Sequence, residues 1–172
     1  MTDIVRLDAA AAERHIDELA EVLCDAVNGG ASVSFLPPFA RDDSLAFWRK
    51  IIADVADGTR VLLAARIDGA IAGTVQLGFA SSPNQAHRGD VAKLLVHSHA
   101  RRRGIARALM LRLENEARAA GRSLLTLDTR HEDDADPLYR ALGYQFVGII
   151  PRFARNGAGG LDATAIFYKE LV

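Results

Sequence analysis

The sequence predicts an α/β (α+β) chain: a mixed, mostly antiparallel sheet with helices on both faces. Three observations carry this. The chain has 172 residues, of which 49% are apolar and 25% charged, a soluble globular composition with enough length for a real core. Its periodic segments run β-α-α-β-β-β-α-β-α-β-β, an order that layers helices on a mixed sheet. From Val91 to Ala120 it reads VAKLLV, then HSHARRRGIA, then RALMLRLENEARAA: an aliphatic strand, a short basic turn and an amphipathic helix. One domain over residues 1–172 is expected, with no repeats and no interdomain linker.

The elements follow in order. Ile4 to Leu7 is a short first strand, and Asp8 is a helix N-cap. Ile16, Leu19, Leu23 and Val27 share one face of a helix that stops near Gly29-Gly30. In SVSFLPPFARDD, Pro37-Pro38 excludes regular helix, flanked by Phe35, Leu36 and Phe39. Asp42 or Asp43 begins the next helix, whose apolar face is Trp48, Ile51, Ile52 and Val55 and whose stop is Gly58. Arg60 to Ile67 and Ala70 to Phe79 are strands joined by the two-residue turn Asp68-Gly69. The loop SSPNQAHRG leads to the central strand, which ends at Val96.

Ile105, Leu109, Leu113 and Ala117 then recur at helical spacing, widened by Ala106 and Met110, and Gly121 ends the helix. Leu124 to Thr129 is a strand, and Pro137 to Leu142 is a short helix before Gly143. Tyr144 to Ile150 and Ala163 to Tyr168 are the last strands, joined by a glycine-rich loop from Arg152 to Gly160.

The basic turn carries chemistry. Arg101, Gly104 and Ala106 are spaced R-x-x-G-x-A at a helix start, where unpaired N–H groups and the helix dipole favour an anion. Gly104 and Ala106 leave room for a phosphate to approach. The same residues also suit a tight strand-to-helix turn with solvated arginines.

Composition excludes other classes. A net charge of −1 argues against a general nucleic-acid binder. The single cysteine, Cys24, excludes an internal disulfide and reads as a small core residue. No apolar run is long enough for a bilayer, and the start has no signal-peptide core, so a cytoplasmic protein is expected. His97 and His99 flank Ser98 without a fuller ligand set, so no metal is expected. No G-x-x-x-x-G-K-[ST] motif supports a nucleotide-phosphate binder.

V-x-K-L-L-V followed by R-x-x-G-x-A and an amphipathic helix resembles the acetyl-CoA motif of the GNAT N-acetyltransferase superfamily. The run PNQAHRGDVAKLLVHSHARRRGIARALM, with LDTR further on, is similar to the tabtoxin-resistance-type branch. The first resemblance spans Ile4 to Leu171, the second mainly Pro83 to Tyr144. They imply about seven strands flanked by about four helices. The parallel strands ending at Val96 and near Thr129 would splay to admit the cofactor's pantetheine arm. They also imply acetyl-CoA as co-substrate and direct attack by a primary amine of a small molecule, in a detoxifying or resistance activity.

The resemblance assigns residues too. Leu94, Leu95 and Val96 match the positions along the pantetheine arm, with the Val96 N–H as candidate oxyanion donor. Arg101, Arg102, Arg103, Gly104, Ile105 and Ala106 would hold the pyrophosphate. Arg102, Arg103 and Arg107 would add phosphate charge, or form a solvated basic face. Tyr139, in A-x-x-L-Y-R-A-L-G-Y, matches a general acid to the thioester sulfur; its alternative is packing. Many relatives carry Asn seven residues before this tyrosine, where this chain has Glu132.

Asp128, at a strand end bordering the pocket, is the candidate base; Asp90, His87, His97 and His131 are weaker ones. Glu132-Asp133-Asp134 reads as a solvated acidic turn. Phe35–Phe39 and the loop from Arg152 to Gly160 are expected to wall the acceptor site. The alternatives are a non-catalytic CoA-binding sensor or interaction module, and a peptide or protein N-acetyltransferase. No nucleic acid or membrane partner is expected; the chain is a monomer or homodimer.

Overall fold

The computed structural model describes residues 2–132 and 135–171. The chain runs β1 (Thr2–Leu7), α1 (Ala9–Arg14), α2 (Ile16–Asn28), α3 (Arg41–Ala56), β2 (Arg60–Ile67), β3 (Ala70–Phe79), β4 (Arg88–Val96), α4 (Ile105–Ala119), β5 (Leu124–Arg130), α5 (Asp136–Ala141), β6 (Gln145–Arg155) and β7 (Leu161–Glu170). The strands form one seven-stranded sheet in the order β1-β2-β3-β4-β5-β7-β6. Only β4 and β5 pair parallel; the other neighbours are antiparallel.

Alternation along the strands feeds two cores. On one face Leu62, Ala64 and Leu95 meet Leu19, Leu23 and Trp48 of α2 and α3. On the other, Leu63, Val75, Leu125 and Phe167 meet Leu109, Met110 and Leu113 of α4. Asp68 and Gly69 both have positive φ, as a two-residue hairpin turn requires.

Three expectations need correction. The first helix is broken at His15, so the described residues form five α-helices rather than about four. The break is held by tertiary bonds: the His15 ring contacts Glu18 Oε1 and an Arg66 guanidinium nitrogen, each at 2.8 Å. Glu18 Oε2 in turn accepts from the Ile71 N–H at 2.7 Å. Next, the first four residues of the loop expected from Arg152 to Gly160 are strand. Pairing of β6 with β7 resumes beyond an irregularity and reaches Arg155↔Leu161. Only residues 156–160 connect them, closed by Asn156 Oδ1, which accepts from the Ala158 and Gly160 N–H groups. Finally, the helix expected to begin at Asp42 or Asp43 starts at Arg41, without a side-chain cap.

The sheet opens at its centre. β4 and β5 pair only over Arg88–Asp90 with Leu124–Thr126. Immediately beyond, β4 carries a bulge. Gln76 faces Ala92 and Thr74 faces Leu95, so β4 takes three residue steps where β3 takes two. Lys93 sits in the left-handed region with φ 52°. A bulge bends its strand and adds twist, which carries the end of β4 away from β5.

Candidate active site: a cleft between two splayed strands

The cleft begins where β4 leaves β5. Val96 faces Gly73 across the antiparallel ladder, and the next residue, His97, donates its N–H to the Ala72 carbonyl at 2.9 Å. A rung bracketed in this way directs its own N–H and C=O away from the partner strand. The Val96 backbone therefore faces the opening. Its carbonyl accepts from Arg101 Nε at 3.1 Å, which leaves its N–H as a donor toward the cleft. Leu95 is buried in the α2/α3 core, while Leu94 and Val96 pack against the α4 core.

The turn between β4 and α4 is anchored from α2. Asp25 accepts from the Ser98 N–H at 2.8 Å and from its hydroxyl at 2.7 Å. Burial works against the Asp25 charge. The Ser98 bonds, with His97 and Arg101 nearby, outweigh it and hold the carboxyl below the usual range. The Arg101 guanidinium, 3.9 Å from Asp25, is thus engaged on the fold. Arg102 and Gly104 have φ 61° and 78°. A Cβ at Gly104 would meet nothing within 4 Å, so within the chain Gly104 is required for its left-handed conformation, not for close packing.

Gly104 caps α4 without a side-chain hydrogen bond, so no cap side chain takes the first N–H groups of the helix. Arg102, Arg103 and Arg107 are exposed; the Ile105 side chain is buried, and Ala106 is half-buried. A cleft of about 480 Å³ opens beside this turn, between Asp25, Gly29, Ser98 and Arg101, with half-buried Cys24 in its wall.

Asp128 lies on β5, on the sheet face opposite to Leu125 and Leu127, and is exposed. Its Oδ2 accepts from the Thr164 hydroxyl at 3.1 Å. Asp90 differs: Arg88 and the Thr126 hydroxyl both bond its Oδ1 where the strands are still paired. His87 precedes that closed end and is remote from the opening. His97 is part of the turn anchor, 3.7 Å from Asp25, with its ring tilted against that of His99 at a centroid distance of 4.2 Å. His131 lies just past β5, with Nε2 3.8 Å from Glu132. Glu132 is exposed, and Asp133 and Asp134 lie outside the described residues.

Tyr139, only 6% exposed, packs in the α4 core with its ring centroid 5.9 Å from those of Tyr144 and Phe167. Burial, reinforced by Glu114, pushes the neighbouring Tyr144 hydroxyl above the usual tyrosine range.

One residue escaped the sequence reading. Lys93 counted there as part of an aliphatic strand; a lysine inside VAKLLV was the available signal. Its Nζ donates to the Ser34 hydroxyl at 3.1 Å and stands 5.9 and 5.8 Å from the ring centroids of Phe35 and Phe47. Burial pushes its ammonium below the usual lysine range, Asp128 opposes that shift and Arg60 adds to it.

The covering segment 29–40 is pinned at several points. Asn28 exchanges two hydrogen bonds with the Phe39 backbone, at 3.1 and 2.9 Å. Arg130 reaches across to the Gly30 carbonyl at 3.2 Å. Gly157, at the β6–β7 tip, lies so close that a Cβ there would be 2.7 Å from Pro37 Cγ. The Pro-Pro segment and the hairpin tip therefore touch. Among the described residues no group of three His, Cys, Asp or Glu is arranged to hold a metal, and no helix is long and apolar enough to cross a membrane.

A model of the acetyltransferase (GNAT) family matches residues 25–144. An uncharacterized N-acetyltransferase from the hisH-hisA intergenic region of Azospirillum brasilense is 34% identical over 124 residues, covering 71% of this chain and 72% of that protein. Among solved structures, an N-acetyltransferase from Staphylococcus aureus Mu50 superposes with a TM-score of 0.83 at 18% identity, covering 100% of this chain and 99% of that one. The Salmonella typhimurium protein yncA, solved with its cofactor acetyl-CoA, gives 0.81 at 20% identity, covering 100% and 95%.

Proposed function

This chain belongs to the GNAT acetyltransferase family, and from that premise we propose that it moves the acetyl group of acetyl-CoA onto the primary amine of a small molecule. The observation that carries the reading is the cleft between β4 and β5. It has the Val96 N–H turned into it, and the start of α4, without a side-chain cap, lies at its end. The likeness to yncA with acetyl-CoA supports the donor.

Bound acetyl-CoA supplies a thioester carbonyl open to attack and a thiolate that can leave. The residues of this chain do the rest. The backbone of Leu94, Leu95 and Val96 lies along the pantetheine arm. The Val96 N–H donates to the thioester oxygen, where negative charge develops. The N–H groups around Arg101 to Ala106 take the pyrophosphate, with Arg102, Arg103 and Arg107 adding positive charge. Asp128 removes a proton from the acceptor ammonium, which frees the lone pair that forms the N–C bond. Tyr139 gives its hydroxyl proton to sulfur as the C–S bond breaks, and the second proton shed by the newly acylated nitrogen restores that hydroxyl through water.

The resemblance to the tabtoxin-resistance branch supports an amino-acid-like acceptor and a detoxifying role. The test is CoA release from acetyl-CoA over amino acids, polyamines, aminoglycosides and peptides. Steady release with a small amine is expected. Tight acetyl-CoA binding with no release for any amine would point instead to a CoA-binding sensor.

A further inference from the structure

We propose that Lys93, under Ser34, Phe35 and Phe47, holds an acidic group of the acceptor, a carboxylate, beside the amine that Asp128 engages. The proposal rests on the acetyltransferase reading and its amino-acid-like acceptor, and adds the residue that holds the acceptor's carboxylate.

The bulge is the first ground. Strict alternation would put Lys93 on the same sheet face as Val91, which packs in the α4 core. The extra residue turns Lys93 to the opposite face, where Phe35 and Phe47 lie. A non-glycine residue at φ 52° is uncommon, and a bulge beside a cleft re-aims a side chain.

Charge pairing is the second ground. An ammonium has three donors, and here the Ser34 hydroxyl takes one. The two rings favour the cation but accept no conventional hydrogen bond. Other cations on this face already have partners: Arg60 bonds Asp54 and Gln76, and Arg88 bonds Asp90. Among the described residues no carboxylate oxygen comes within 4 Å of the Lys93 ammonium. A half-buried charge so placed suits an incoming anion.

The third ground is Asp128. It stands on the facing strand, on the same side of the sheet, close enough to act on the Lys93 charge. A negative group on one wall and a positive one on the other match the two ends of an α-amino acid.

The test uses the full chain and a panel of α-amino acids, each with its carboxamide and its decarboxylated amine. For the best acid, kcat/KM should exceed that of its two analogues by roughly ten- to hundredfold. Lys93→Met should abolish that difference, and Lys93→Arg should keep most of it. Acetyl-CoA affinity by calorimetry should stay constant; Lys93→Gln replaces the Met variant if the latter does not fold. A wild-type preference for the uncharged analogues overturns the proposal, as does an equal loss on all three amines in Lys93→Met. If no amine turns over, calorimetry on the CoA-saturated protein decides. Acid binding lost in Lys93→Met upholds the Lys93 site while the transferase reading fails; no acid binding overturns the site.

Discussion

At the residue scale the proposed chemistry rests on two side chains in unlike surroundings. Tyr139 is almost wholly buried among aromatic rings, and Asp128 is exposed at a strand end. A thiol has a pKa of about 8.5 and a tyrosine about 10, so the thiolate leaves tolerably without help. Tyr139→Phe should therefore slow kcat by about 10², the lower part of the range for general acid catalysis, with acetyl-CoA affinity nearly constant. Unchanged kcat with chemistry rate-limiting would leave Tyr139 a packing residue. Asp128→Asn keeps the size and removes the charge. Its rate should fall most at pH values below the pKa of the amine, where a proton must be removed first. A pH–rate profile identical to wild type would exclude Asp128 as the base. Both residues are proposed from the sequence through their neighbours. Lys93 is not, because its significance depends on a bulge that strand patterning does not reveal.

At the element scale the turn from β4 into α4 is the proposed pyrophosphate site. Gly104 has φ 78° and open space around its Cα. A side chain there meets no neighbour, so any loss of stability is conformational. Gly104→Ala should cost about 1–2 kcal/mol, the penalty of the left-handed region, measured by urea unfolding. Gly104→Val should cost more and should also weaken acetyl-CoA more than tenfold, a factor that corresponds to about 1.4 kcal/mol. Undiminished affinity in a folded Val variant would move the pyrophosphate elsewhere. The R-x-x-G-x-A spacing was enough to find this turn. It was not enough to show that the Arg101 side chain folds back onto Val96 and Asp25, because those partners lie on other elements.

At the scale of the whole molecule, two cores lie on opposite faces of a sheet that is parted at its centre. A ligand filling that gap binds the folded chain and not the unfolded one. Acetyl-CoA at a hundred times its Kd should add about 2.7 kcal/mol of stability. At about 2–4 °C per kcal/mol for a chain of this size, the melting temperature should rise by about 5–10 °C. A thermal scan with 3′-phospho-ADP in place of acetyl-CoA measures how much of the rise belongs to the adenine and phosphate end. No rise with saturating acetyl-CoA would contradict binding in the cleft.

The sequence by itself determined the order of every element but the short helix Ala9–Arg14, the Asp68-Gly69 hairpin and the strand–turn–helix unit around Gly104. Each is written in residues close together in the chain: apolar period, turn residues and helix stops. Tertiary structure decided the rest. The break at His15 follows from partners on the β2–β3 hairpin, Arg66 and, through Glu18, Ile71. The extension of β6 and β7 follows from their pairing with each other, which outweighs the loop-like glycines near their tip. The orientation of Lys93 follows from the register between β3 and β4. In every such case the deciding hydrogen bond or rung joins residues distant in sequence, and local patterning carries no record of a partner that only folding brings near.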